Sequence, residues 1–245
     1  MSFEMSLMIV APQMVVLGGA CFALIVGGAF NSSLSSVKVP LVSLVAAILL
    51  SILNLGEDGV FFNGHLYKDD ARDAINVLVY SVGLIWILYS SELSESDLKA
   101  ELWGLKLFLI LGIIVTVGAA SFVTAFMGLE LIALPMYTIT ALNSVRVKSA
   151  IECLINGLIG MSVILYGMSF VYGVTGSIYF SQVYEQINFV MVDSSVRSQL
   201  TLLFGLVMVG IGLSFKISSL PFNLVSVSRK YLPILIQDGY ISKEN

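Results

Sequence analysis

Four ionisable side chains lie inside or at the ends of long apolar stretches of this 245-residue sequence. They are Lys106, Glu130, Glu152 and Lys216. A charged side chain at the centre of a bilayer costs roughly 2.5–3.5 kcal/mol even on the more lenient insertion scale, so such residues usually face a protein interior or a water-filled cavity. Proton or ion transfer across a membrane is therefore the chemistry that these residue types indicate.

Glu130 and Lys216 are the most deeply placed of the four, and each is followed five residues later by a proline, Pro135 or Pro221. Proline lacks an N–H and its ring clashes with the carbonyl group four residues earlier. The pattern predicts an interrupted helical turn beside each charge, where water can enter, although a simple kink is the alternative. Because the two charges have opposite signs, we expect them to form a functional pair.

Lys106 and Glu152 lie within about one turn of the starts of their predicted helices. Long side chains in this position can extend to the membrane–water interface. For these two residues, an interfacial position and a part in proton transfer both remain open.

Apolar runs of about 20 residues predict transmembrane helices. The predicted helices lie near residues 7–30, 39–55, 74–91, 102–118, 123–142, 153–179 and 199–224, and a short polar tail occupies residues 226–245. The run at 102–142 is twice too long for one crossing, so a tight reversal is expected at Gly118. The fold class predicted is an all-α polytopic membrane protein with about seven transmembrane helices.

Composition excludes several classes of protein. Hydrophobic residues make up 58% of the chain and charged residues only 11%, whereas soluble domains carry about 25% charge. A net charge of -4 without any basic stripe excludes nucleic-acid binding. Two cysteines and one histidine, His65, which we expect to be a solvated loop residue, predict no metal site and no cofactor bound by this chain.

The basic residues of the predicted loops are distributed unequally between the two sides of the membrane. One side carries Lys68, Arg72 and Arg197, and the other carries Lys38, Lys99, Arg146, Lys148, Arg229, Lys230 and Lys243. Because cytoplasmic loops carry the excess of Lys and Arg, the N-terminus is predicted outside and the C-terminus in the cytoplasm. The N-terminus lacks the basic region of a signal peptide, so we expect the first run to remain as a membrane span.

Three segments carry a resemblance to a known family. They are FMGLELIALPMY at 126–137, LYGMSFVYGVTGS at 165–177 and FKISSLPF at 215–222. Together, in this order and spacing, they resemble subunit N, an antiporter-like membrane subunit of proton-pumping NADH-quinone oxidoreductase (respiratory complex I).

The resemblance implies a proton-translocating membrane-arm subunit, with Lys216 as the proton-carrying lysine and Glu130 as its charge partner. It implies other membrane-arm subunits of complex I and the lipid bilayer as partners, and the bacterial inner membrane as location. NADH, FMN, iron–sulfur clusters and quinone are expected in partner subunits or at the level of the whole complex, so the chain belongs to an enzyme without carrying a redox centre.

The sequence also departs from the family pattern. The family usually has a lysine where Glu152 stands, and its Pro-Phe-His-x-Trp run reads Pro-Phe-Asn-Leu-Val at 221–225. Members of the family have about twice as many helices as the seven predicted here, which suggests the N-terminal half of a subunit truncated at its C-terminus. Two alternatives remain: a stand-alone cation/proton antiporter, and an inert truncated fragment.

Overall fold

The part of the chain that the structure describes folds into α-helices and a small β-hairpin. The structure, a computed structural model, describes residues 3–30, 33–54, 56, 59–92, 101–142, 147–193 and 195–219. Within them, the helices are α1 (Phe3–Phe30), α2 (Ser33–Leu53), α3 (Asp70–Glu92), α4 (Glu101–Val117), α5 (Phe122–Ala141), α6 (Val147–Thr175), α7 (Phe180–Asp193) and α8 (Val196–Ser219). Strands β1 (Gly59–Phe61) and β2 (Leu66–Lys68) pair antiparallel between α2 and α3. The predicted all-α polytopic fold is confirmed.

Side chains that cap the helices explain where several of them begin. The Asp69 carboxylate accepts a hydrogen bond from the Arg72 amide at 2.8 Å, so α3 starts at Asp70, before the predicted residue 74. The Ser121 hydroxyl accepts one from the Thr124 amide at 3.2 Å, at the start of α5. Each cap satisfies an amide that has no partner inside its helix.

The connection after α6 differs from the prediction. The predicted helix 153–179 ends at Thr175, because Gly176 adopts a positive φ of 69° and its amide donates to the Tyr172 carbonyl at 2.7 Å. Left-handed glycine is a common helix terminator. A further 14-residue helix, α7, then occupies part of the segment expected to be a loop.

The described residues form two compact units. The first contains α1 to α4, α5 as far as Ile139, and Ser177–Gln186; the second contains Thr140–Gly176 and the chain from Ile187 onward. In the first unit, α1 to α4 enclose one hydrophobic cluster that includes Leu44, Leu107 and Ile114, each fully buried. In the second unit, α6 packs closely along α8.

Large apolar side chains on the helices face outward. Leu78, Val82 and Ile85 of α3 are exposed, a pattern that soluble monomers avoid over large surfaces and that lipid accommodates. Among the residues that the structure describes, four helical segments are long and apolar enough to cross a membrane, namely Asp70–Ser91, Phe122–Ala141, Val147–Thr175 and Val196–Lys216. The apolar segments Ile9–Ile25 and Val37–Leu53 are shorter. The chain is therefore an integral membrane protein.

Three connections meet at one end of the first unit. The hairpin bonds to the α4–α5 reversal, since the Tyr67 amide donates to Gly118 and the Ala120 amide donates to His65, both at 3.0 Å. The same reversal bonds to the start of α7, since the Phe180 amide donates to Ala120 at 3.0 Å. We call residues 59–68, 118–121 and 177–180 the hairpin cap. The reversal expected near Gly118 is therefore present.

His65 lies within the hairpin cap and is not a solvated loop residue as expected. Its side chain is half-buried, and Nδ1 lies 3.0 Å from the Ser121 hydroxyl. Its ring also lies against Tyr179, with 5.2 Å between the ring centroids. The sequence places His65 in a polar loop, but the loop folds back onto two connections that are distant in sequence.

Candidate functional site

Lys216 lies near the end of α8 and is almost completely buried, with 2% of its surface exposed. It follows Gly212 by one helical turn, at a point where α8 closely approaches α6. A Cβ atom placed on Gly160 of α6 would lie 3.3 Å from the Gly212 carbonyl oxygen and 3.7 Å from the Lys216 amide nitrogen. The lysine is therefore held at a helix–helix contact where even a methyl group on Gly160 would be tightly packed.

A second glycine contact holds the same two helices together. A Cβ atom on Gly167 would lie 2.7 Å from the Gly205 carbonyl oxygen, and one on Gly212 would lie 2.8 Å from the Gly160 carbonyl oxygen. The glycines are seven residues apart on each helix, so they fall on one face of it. Small residues that let backbones approach are a typical means of association between membrane helices, and here they determine the position of Lys216.

Glu130 lies in α5, within the first unit, and its side chain is half-buried. Two close glycine contacts, one before and one after Glu130 along α5, bring α5 against α4. A Cβ atom on Gly128 would lie 2.8 Å from the Thr116 amide nitrogen, and one on Gly112 would lie 2.7 Å from the Ile132 amide nitrogen. The backbone of α5 is thus fixed against α4 around the glutamate.

The interrupted turn expected beside Glu130 is absent. Helix α5 continues through Pro135, which is buried within it. Prolines are tolerated inside membrane helices where small adjustments and neighbouring groups satisfy the freed backbone atoms, so the sequence motif alone does not establish a break. Pro221, where the second break is expected, lies outside the described residues.

Lys106 is buried in α4, on the side that packs against α3. Its side chain is 6% exposed, and its ammonium group donates a 2.7 Å hydrogen bond to the Ser90 hydroxyl of α3. The ammonium nitrogen also lies 4.3 Å from the ring centroid of Trp103 and 5.2 Å from that of Trp86. Both tryptophans of the chain therefore contact this one lysine, and cation–π attraction stabilises its charge.

Part of this lysine site was recognisable in the sequence. Trp103 stands three residues before Lys106, a spacing that brings two side chains together on one helix face. Ser90 and Trp86 come from α3, and only the packing of α3 on α4 brings them to the lysine.

Glu152 lies on an exposed face of α6, six residues into the helix, whereas its neighbour Cys153 is buried. It belongs to the second unit with Lys216. Glu130 and Lys106 belong to the first unit, so the pairing of Glu130 with Lys216 stays a prediction. Among the residues that the structure describes, no three His, Cys, Asp or Glu side chains come close enough to hold a metal ion.

Comparison with known proteins identifies relatives of this chain. The family model "NADH:quinone oxidoreductase/Mrp antiporter, TM" matches residues 119–226, which include Glu130, Glu152 and Lys216. NADH-quinone oxidoreductase subunit N of Thioalkalivibrio sulfidiphilus is 33% identical over 91% of this chain and 48% of its own length. The subunit N of Thiobacillus denitrificans is 32% identical over 91% of this chain and 48% of its own length.

Two solved structures share the fold. Respiratory complex I from Thermus thermophilus contains a chain that superposes with a TM-score of 0.66 and 19% identity, over 87% of this chain and 45% of that one. The archaeal membrane-bound sulfane sulfur reductase contains one with a TM-score of 0.69 and 18% identity, over 87% of this chain and 44% of that one.

The chain spans about half the length of the curated relatives that it matches. Over that half, the family match, the subunit N relatives and the fold agree with one another. The chain is thus similar to subunit N of NADH-quinone oxidoreductase over about half of that subunit's length, and its residues 119–226 match the NADH:quinone oxidoreductase/Mrp antiporter membrane family.

Proposed function

We propose that this chain is a proton-translocating part of subunit N in the membrane arm of a bacterial NADH-quinone oxidoreductase. Lys216 is the proton-exchanging group in this proposal, and Glu130 modulates it. The observation that carries the proposal is the burial of the Lys216 side chain in an apolar helix, next to a close glycine contact between α6 and α8. Charged residues kept at such depth usually mark proton or ion pathways.

Two opposing effects suit a buried lysine for this role. Burial destabilises the charged ammonium group, whereas a nearby carboxylate stabilises it. A lysine subject to both can release a proton and bind it again when its surroundings change. The glycine contacts support this role because they hold the Lys216 backbone in one position while its side chain exchanges the proton.

Lys106 and Glu152 have lesser parts in this proposal. The Lys106 ammonium is held by Ser90 and two tryptophan rings, contacts that stabilise its charged state and suit a fixed positive charge better than a proton carrier. Glu152 is exposed on α6, a position suited to proton entry or to contact with a partner subunit.

Redox chemistry belongs to partner subunits in this proposal. The two cysteines of the chain lie on different helices, Cys21 on α1 and Cys153 on α6, and a cluster held by four cysteines cannot be built from them. NADH, FMN, iron–sulfur clusters and quinone would bind elsewhere in the complex. The residues of this chain would move protons only.

Blue-native electrophoresis of membranes from the source organism distinguishes this proposal from the two alternatives. We expect an antibody to this chain to detect it in a high-mass band that also stains for NADH dehydrogenase activity, together with other membrane-arm subunits. A stand-alone cation/proton antiporter would migrate as a small oligomer without that activity. Migration as an isolated monomer that moves no protons would favour the inert fragment.

The proposed orientation places the N-terminus outside and the C-terminus in the cytoplasm, with the hairpin cap on the outer side. A reporter inserted at Gly56 is expected to be active only if it functions outside the membrane, and one fused after Asn245 only if it functions in the cytoplasm. The physical reason is the excess of Lys and Arg in the loops on the proposed cytoplasmic side. The opposite pattern of activity would show that the orientation is inverted.

A further inference from the structure

A small polar cavity lies beneath the hairpin cap, within the first unit. Its volume is about 30 Å³, and α1, α2, α3 and the hairpin contribute to its lining. The polar residues that line it include Gln13, Ser51, Asn54, Lys68, Asp73 and Asn76. Apolar helices surround this site, so its polar character requires an explanation separate from the proposed proton pathway.

A buried ion pair forms one wall of the cavity. The Lys68 ammonium lies 3.1 Å from an Asp73 carboxylate oxygen, and both side chains are about nine-tenths buried or more. Lys68 also donates a hydrogen bond to the Asn54 carbonyl at the end of α2. Removing two charges from water is expensive and is repaid only when further hydrogen bonds satisfy their remaining polar atoms.

Asn76 supplies a second polar wall. It follows Asp73 by three residues and precedes Tyr80 by four, so the three side chains share one face of α3. The Asn76 Oδ1 atom is buried and has no hydrogen-bond partner among the described protein atoms. A buried acceptor without a hydrogen bond lowers the free energy of unfolding by about 1–3 kcal/mol.

We propose that this cavity binds ordered water, which donates a hydrogen bond to Asn76 Oδ1 and bridges it to the Lys68–Asp73 pair. A water molecule needs about 10–15 Å³ of such volume and two to four polar partners, so the cavity has room for about two. A metal cation is disfavoured because Lys68 and Arg72 outnumber Asp73 among the charged lining residues. The bound water joins the hairpin to α3 through a hydrogen-bonded network.

Hydroxyl-radical footprinting by synchrotron X-rays tests the proposal on the whole chain in native membranes, because radiolysis of bound water oxidises the side chains beside it. Tyr80 is 1% exposed but lines the cavity, whereas Trp103 is 3% exposed and does not line it. We expect Tyr80 to be oxidised several-fold faster than Trp103, although indole is the more reactive ring. Equal, slow oxidation of both residues would mean that the cavity is dry and would overturn the proposal.

Two variants make the test specific to the cavity. Asn76→Leu removes the acceptor and fills the space, so oxidation of Tyr80 is expected to fall several-fold towards that of Trp103. Asn76→Ser keeps a hydroxyl and leaves room, so fast oxidation of Tyr80 should persist. Fast oxidation of Tyr80 in the leucine variant, with Trp103 still protected, would show that the label does not come from this water.

Discussion

Lys216→Ala is expected to abolish NADH-driven proton movement in vesicles where the subunit that contains this chain is present only as the variant. The substitution removes the buried ammonium group that the proposed mechanism uses to carry the proton. Membrane insertion should be unaffected, because removing a costly buried charge does not impair partitioning into lipid. Quenching of a pH-sensitive dye on addition of NADH measures the proton movement, and the amount of chain in washed membranes measures insertion.

Lys148→Ala provides the matched control. Because Lys148 is exposed near the start of α6, proton movement should remain at the parental level.

Glu130→Gln is expected to weaken proton movement by removing the carboxylate that would stabilise the charged lysine, whereas Glu130→Asp should retain part of it. Parental pumping by Lys216→Ala would mean that another residue carries the proton or that this chain carries none, and the inert-fragment alternative would then be favoured.

Gly212→Ala is expected to destabilise the packing of α6 against α8 strongly. The added methyl group would lie 2.5 Å from the Ile164 Cγ1 atom and 2.8 Å from the Gly160 carbonyl oxygen. The backbone atom cannot rotate away, so the two helices must separate. Overpacking of this kind typically costs about 1–3 kcal/mol, measured as a loss of unfolding free energy in detergent. Because Gly212 precedes Lys216 by one helical turn, proton movement should fall as well.

Gly210→Ala is the control on the same helix, because a methyl group there would meet no atom within 4 Å. Its unfolding free energy should equal or slightly exceed that of the parent chain, because alanine is the better helix former. If both alanine variants were equally stable, the close contact between α6 and α8 would not exist as described, and the position proposed for Lys216 would lose its support.

Helix positions were largely predictable from the sequence because hydropathy and end signals act between residues close in the chain. The predicted helix 102–118 corresponds to α4 at Glu101–Val117, and the predicted helix 123–142 corresponds to α5 at Phe122–Ala141. The β-hairpin between α2 and α3 was not predicted, since three-residue strands carry too little pattern. Helix α7 was missed because its 14 residues mix polar and apolar side chains, as loops also do.

The candidate site, like the fold, was only partly predictable from the sequence. Lys216, Glu130, Lys106 and Glu152 were found from sequence because charge within an apolar run is a local contrast. Their burial could not be found from sequence, because it depends on what packs against them. Lys216 is buried beside α6 and Glu152 is exposed, although both stand within or at the edge of apolar runs. The motif of a charge followed by proline did not predict the continuous path of α5 through Pro135.

Membrane location, helical class and the identity of the candidate residues were determined by the sequence alone, because each follows from the type and spacing of neighbouring residues. Only the tertiary structure decided that the ammonium group of Lys106 lies between Trp86 and Trp103, that His65 contacts Ser121, and that Lys68 and Asp73 line a polar cavity with Asn76. These contacts join different helices and connections. Each depends on how apolar faces and glycine contacts bring those elements together, which the order of residues along one element does not specify.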